Sequence, residues 1–197
     1  AENPEENFTI INKKLKSELN KNKIWVASST HKNEEIFCAN AHKELKKKNK
    51  NLITIIIPRH VHRANEIALE MKKINLNVAY HSSKIKTLKN IDIYIVDTFG
   101  ETKLFHKISS TVFLGGSIIK RGGLNPLEAA RLGSKILHGP NTDNFKDVYK
   151  HLKSLNISKK IHTPLQLASS IVFKKNKKSG KKIKHIGKKI LKKTINE

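Results

Sequence analysis

Residues suited to holding an anion recur at one kind of place in this sequence, directly after short apolar runs. IWVA (24–27) is followed by Ser28, Ser29, Thr30 and His31. LITIIIP (52–58) ends on Pro58 and leads into Arg59 and His60. IDIYIVD (91–97) leads into Thr98, Phe99, Gly100 and Glu101, and TVFLGG (111–116) runs through Gly115 and Gly116 into Ser117. A second glycine turn follows, Gly122 and Gly123, then Leu124, Asn125, Pro126, Leu127 and Glu128. KILHG (135–139) leads into Pro140 and Asn144. Glycine lets a backbone approach a phosphate closely, and a helix opening after such a turn offers free N–H groups to an anion. The same glycines also suit plain tight turns, with Asn125 as a helix cap. Glu128, three residues after Asn125, either closes a capping box or accepts hydrogen bonds from sugar hydroxyls. Arg59, at the end of a buried strand, is a candidate phosphate or carboxylate fork.

Other chemistries find little support. Neither G-x-G-x-x-G nor G-x-x-x-x-G-K-[ST] occurs, which argues against dinucleotide enzymes and P-loop NTPases. The 10 histidines are scattered without an H-E-x-x-H pattern; only His60 and His62 stand close, so no metal is expected. Cys38 is the one cysteine, which excludes a disulfide framework, and its place in a helical pattern reads as small core packing. No nucleophile elbow or Ser-His-Asp spacing appears.

The elements that must position these residues alternate. Apolar spacing predicts helices over 33–49, 62–73, 101–108, 125–133 and 144–155, between strands at 24–27, 52–58, 76–80, 91–97, 111–116 and 135–139. Further helices are expected near 164–173 and 180–195, and a short helix or linker over 11–22. Strand–helix alternation implies a parallel sheet covered on both faces, here an α/β, Rossmann-like, doubly wound sheet of about six strands. Ligands of such sheets bind beyond the carboxyl ends of the strands. That is where the glycines, Arg59 and Glu128 gather.

A chain of 197 residues fits one domain and buries a core without staples. The expected division is a leader or linker over 1–22, a Rossmann-like unit over 23–175 and a lysine-rich helix over 176–197. No apolar run is long enough to span a bilayer, and no signal peptide is visible. The formal net charge is +24, and residues 151–197 carry 14 of the 40 basic side chains with one acid. Such a surface attracts nucleic acid, nucleotide phosphates or acidic lipid. Aromatic residues are 6% of the chain, few for base-stacking platforms, and lysine outnumbers the reading fork arginine, so nucleic acid is not the expected partner.

WVASSTHKNEE (25–35), IIIPRH (55–60), DTFGE (97–101), FLGGS (113–117), GGLNPLEAARLG (122–133) and HGPNTDNF (138–145) occur in this order. Together they strongly resemble the C-terminal half of the 3-deoxy-D-manno-octulosonic acid (Kdo) transferases. IGKKILKKTINE (186–197) is similar to the last helix of that family. The resemblance covers about residues 20–197. It departs at Phe99 (usually Met), Leu124 (His), Ala129 (Pro) and Asn33 (Gly).

The resemblance implies the C-terminal half of a metal-independent GT-B glycosyltransferase, without a cofactor, that holds the donor CMP-Kdo. It implies that Pro58, Arg59, Phe99, Gly100, Glu101, Asn125, Pro126, Leu127 and Glu128 contact the CMP part. Ser29, Thr30, Gly115, Gly116, Ser117, Gly122 and Gly123 would line the same pocket. The catalytic carboxylate, the acceptor site for lipid A precursor and the membrane anchor belong to the family's N-terminal domain, so no catalytic residue is assigned in this chain and the chain alone is expected to be inactive. The implied setting is the cytoplasmic face of the bacterial inner membrane, with peripheral contact to anionic lipid, in lipopolysaccharide biosynthesis. A GT-B transferase for another nucleotide sugar is the alternative reading.

Overall fold

A computed structural model of the chain describes residues 13, 15–85 and 87–175. The expected helix at 180–195, and most of the lysine run, lie outside the described residues. Seven strands form one sheet: β1 (Lys23–Thr30), β2 (Leu52–Pro58), β3 (Val78–Tyr80), β4 (Ile93–Ile95), β5 (Thr111–Leu114), β6 (Lys135–His138) and β7 (Ser158–Lys160). Their order is β3-β4-β2-β1-β5-β6-β7, and every pairing is parallel. Six helices join them: α1 (Glu34–Lys46), α2 (Ala64–Lys73), α3 (Thr102–Ile108), α4 (Leu127–Arg131), α5 (Lys146–Ser154) and α6 (Pro164–Ser170).

The period-2 alternation of each strand divides the core into two layers. Ile24 and Val26 of β1, with Ile53, Ile55 and Ile57 of β2, pack with Phe105, Ala129, Ala130, Tyr149 and Leu152 on the α3–α5 face. Trp25, Ala27, Leu52 and Ile56 pack with Cys38, Ala41, Ile67, Met71 and Leu167 on the α1, α2 and α6 face. All seven residues of β2 are buried, as its unbroken apolar run requires of a central parallel strand. Cys38 is core, as its pattern predicts.

Three differences from the sequence reading stand out beyond shifts of a few residues at element ends. β7 was not anticipated, because Ser158-Lys159-Lys160 has no apolar run; it is an edge strand whose lysines face solvent. Residues 15–20 are helical, and Leu19 is buried in the α3–α5 layer, so the packed unit begins before residue 23. The helix expected over 125–133 is shorter, Leu127–Arg131. Among the described residues no helix is long and apolar enough to cross a membrane.

β1 connects to β2 on one side, while the chain returns after β4 to place β5 on its other side. The order therefore reverses between β1 and β5, and the crevice beyond their carboxyl ends is the switch point of the sheet.

Candidate functional site at the carboxyl rim

Two glycine turns meet β1 at this switch point. A β-carbon on Gly115 would lie 2.3 Å from the Ser29 carbonyl oxygen, so only glycine lets β5 end this close to β1. Ser29 itself stands at φ 53, beside a register shift between Ser28 and Thr30 that turns the end of β1. The fully buried Glu34, at the start of α1, reaches across to the first glycine turn. Its Oε2 accepts from Gly116 N at 2.7 Å and His31 N at 3.0 Å, and its Oε1 from Ser117 N at 3.0 Å and Ile118 N at 2.9 Å. The N–H groups of this first glycine turn are thus filled by the protein's own carboxylate. Glu34 reads in the sequence as an ordinary acid of a helix's first turn; three of its four partners, Gly116, Ser117 and Ile118, lie more than 80 residues away, and no local pattern announces them.

Glu35, the next residue, is also buried and takes Arg63 Nη1 at 2.8 Å. This pair ties α1 to the turn after β2, which carries Arg59 and His60. Arg59 N donates to Thr30 O at 2.9 Å, seating that turn beside β1. Desolvation lifts the Glu35 carboxyl above its ordinary range against the pull of Arg63.

The second glycine turn is knit to the first and to the loop after β6. Gly122 and Gly123 stand at φ 76 and φ 72, and Gly123 N donates to Gly116 O at 2.9 Å. Ser117 Oγ donates to Leu114 O and accepts from Gly139 N at 2.8 Å. Tyr149 Oη donates to Leu124 O at 2.9 Å, and its ring packs on His138, whose centroid is 4.3 Å away. Burial pushes His138 down to about 4, so it serves here as a neutral packing ring. Thr30 and Ser117 are fully buried.

The turn before α4 is closed by its own asparagine. α4 has five residues, and Asn125 Oδ1 accepts from Leu127 N at 3.0 Å, within its own turn. Glu128 makes no capping-box bond. Its half-exposed carboxylate, on the α4 rim, lies 3.5 Å from His106 Nδ1. Pro126 is buried beneath it, and Leu127 is half-buried.

Cationic and aromatic side chains stand exposed around the rim, beside Glu128. Among the described residues the ion-paired arginine is Arg63; Arg59 and Arg121 are exposed and have no carboxylate partner. His31 sits between them: its ring is 6.0 Å from that of His60, and a β-carbon on Gly116 would touch it and Arg121. Desolvation holds His31 below its ordinary pKa, and Arg121, His60 and Arg59 push the same way against Glu34. At the end of β4, Phe99 is 85% exposed, Gly100 turns the loop at φ 85, and Glu101 is half-buried. The sequence reading assigned ligand contacts to Arg59, Phe99 and Glu128; it placed His31 only among the residues that follow the first strand, and gave Arg121 and His106 no contact. Among the described residues no three His, Cys, Asp or Glu side chains gather as metal ligands would.

A cavity of about 620 Å³ opens at the opposite end of the sheet, lined by Glu18, Lys21, Lys46, Asn77 and Asp92. It lies at the amino ends of the strands, and two of its lysines are already paired, Lys21 with Glu18 and Lys46 with Asp92.

No protein-family model matches the chain. A 3-deoxy-D-manno-octulosonic acid transferase of Rickettsia felis is 37% identical over 148 residues, 73% of this chain and 32% of the relative. That of Haemophilus influenzae is 34% identical over 129 residues, 66% of this chain and 30% of the relative. The chain thus spans about a third of the length of these relatives. Among solved structures, the C-terminal CMP-Kdo binding domain of WaaA from Acinetobacter baumannii has the same fold, with a TM-score of 0.73 at 23% identity over 82% of this chain and 86% of that one. By sequence this chain belongs with the 3-deoxy-D-manno-octulosonic acid transferases, and by fold it matches the C-terminal domain of WaaA.

Proposed function

We propose that the chain is the donor-binding part of a Kdo transferase and holds CMP-Kdo at the rim between β1 and β5. The observation that carries this reading is the pair of unpaired guanidiniums, Arg59 and Arg121, flanking His31 at the switch point. A donor with a phosphate and a sugar carboxylate meets two cationic forks there. Phe99, exposed at the end of β4, offers a face to the base, and Glu128 offers acceptors to ribose hydroxyls.

In the whole enzyme a carboxylate from another domain takes the proton of an acceptor hydroxyl on lipid A precursor. That oxygen attacks the anomeric carbon of Kdo with inversion, the bond to the phosphate oxygen breaks, and CMP leaves with the electron pair. Arg59 stabilises the charge that develops on the departing phosphate. No step requires a metal or cofactor. This chain alone binds the donor and does not turn it over.

Calorimetry of the purified chain tests this. CMP binds and UDP does not, and Arg59→Ala weakens CMP by roughly 10–150-fold, as loss of a charge-assisted hydrogen bond predicts. Wild-type protein that ignores CMP at millimolar concentration, or an Arg59→Ala variant that binds as wild type, overturns the assignment.

The reading extends to the bilayer. Between Lys174 and Lys193 the sequence has eleven lysines and no acid. Each contributes about 1 kcal/mol near an anionic leaflet, screened over about 8 Å at physiological salt. Co-sedimentation with anionic vesicles, lost in high salt and on replacing Lys181, Lys182, Lys188 and Lys189 by Gln, is the expected result. Equal recovery with neutral and anionic vesicles at low salt removes the membrane contact.

A further inference from the structure

Beneath the rim, three side chains from three elements form a line. Ser28 of β1 is 1% exposed and His106 of α3 is 4% exposed. Ser28 Oγ lies 3.0 Å from His106 Nε2, and His106 Nδ1 lies 3.5 Å from Glu128 Oε1 on α4. The order resembles a hydrolytic triad, but Ser28 is sealed in the sheet and no substrate reaches it. The line has another use. His106 Nδ1 is a buried nitrogen without a hydrogen-bond partner among the described residues, and the group it faces is the one exposed carboxylate on α4. A carboxylate only accepts, so a proton on Nδ1 is the tautomer that suits the facing Glu128, and with it Ser28 Oγ–H donates to Nε2.

We propose that His106 is a positioning residue for donor binding: its Nδ1–H holds the Glu128 carboxylate in the orientation that accepts the ribose hydroxyls of the nucleotide. This rests on the reading of Glu128 as a donor contact. In the free chain the 3.5 Å separation leaves the bond slack. A ribose that draws Glu128 over the rim lets it close onto Nδ1, so the buried nitrogen gains its partner when the site is filled. α3 is fixed for this task, since Lys175 Nζ donates to His106 O at 3.1 Å and Ser134 Oγ to the same oxygen at 3.3 Å. Desolvation, with Lys175 adding to it, keeps the ring below its ordinary pKa despite Glu128, so it is neutral at neutral pH and the tautomer matters.

The test joins calorimetry with CMP to nitrogen-15 spectra of labelled histidine in the 197-residue chain. The wild type should show His106 protonated at Nδ1, with that resonance moving on CMP addition. His106→Phe should weaken CMP by about tenfold, the worth of one hydrogen bond to a carboxylate. His106→Asn, whose amide nitrogen falls near the place of Nδ1, should restore most of the affinity. In a Glu128→Gln background His106→Phe should cost nothing further. Where the phenylalanine lowers stability, His106→Gln keeps a polar group toward Ser28 but none toward Glu128, and should bind CMP as weakly as His106→Phe. An Nε2-protonated ring, or equal losses from His106→Phe in both backgrounds, overturns the proposal while leaving the donor site intact. Wild-type protein that does not bind CMP overturns the donor reading itself, and this proposal with it.

Discussion

At the amino ends of β2 and β4, Lys46 Nζ lies 3.0 Å from Asp92 Oδ1, Asn77 N donates to Asp92 Oδ2 at 3.0 Å, and the buried His42 stands 3.5 Å from the same carboxylate while bonding Thr54 Oγ1 at 2.8 Å. At the carboxyl ends Arg59 and Arg121 have no such partner, Ser29 is held at φ 53, and Phe99 projects into solvent. Both ends draw on the same residue types. One closes its charges on each other and adds to the stability of the fold. The other leaves Arg59 and Arg121 open and holds Ser29 in local strain, as a site completed by a ligand would. The contrast separates stability from binding along a single sheet.

The largest expected effect breaks this division. Glu34 belongs to the rim, yet its removal leaves four backbone N–H groups without an acceptor. Glu34→Ala should therefore cost about 4 kcal/mol or more in urea denaturation, and abolish CMP binding with it. If the variant keeps its stability and binds phosphate more tightly, the carboxylate was merely a competitor in an anion site.

Asp92→Asn sharpens the contrast from the other end. It should cost about 1.5–3 kcal/mol at neutral pH and leave CMP affinity within about twofold. Burial raises the Asp92 carboxyl, but His42, the Asn77 N–H and Lys46 outweigh it and hold the pKa well below the ordinary value. Its contribution is therefore complete above the unfolded value of about 3.9 and fades as pH falls through the depressed one. Denaturation over a pH series should show wild type and variant apart at neutral pH and converging only below about pH 4. A variant that loses CMP affinity as well would join the two ends energetically.

The smallest effect falls on Asn33, which stands at φ 77 before α1. Asparagine tolerates the left-handed region better than other side chains. Asn33→Ala should cost about 1 kcal/mol in thermal or urea unfolding and Asn33→Gly should be close to neutral. A neutral alanine would mean that this turn is free to relax.

The sheet was legible because its strands are apolar runs and its helices keep a 3.6-residue period. β7 escaped because Lys159 and Lys160 lie on an edge, where pairing needs backbone and not apolar side chains. At the site, Arg59, Phe99 and the glycines were visible from their positions after strands. His106 was one histidine among ten, and only the packing of α3 between β1 and α4 gives it a neighbour. The departure at Asn33 became intelligible once its positive φ was seen, since glycine, the family's usual residue there, and asparagine share that conformation. Glu128 could not be divided between cap and ligand contact on spacing alone, because the answer depends on where α4 begins.

Gly115 and Glu34 together fix when the ordering cost of the rim is met. With the β5 turn pressed against Ser29 and held by three bonds to one carboxylate, the loop takes its shape as the chain folds. On the proposed reading, an incoming nucleotide then meets a preorganised wall and has only its own freedom and a few side-chain rotamers to give up, each costing about 0.5–1.5 kcal/mol. Affinity at such a wall is then set by the exposed groups above it, Arg59, Arg121, Phe99 and Glu128. Changes confined to those four can retune which nucleotide is held without the scaffold having to be rebuilt.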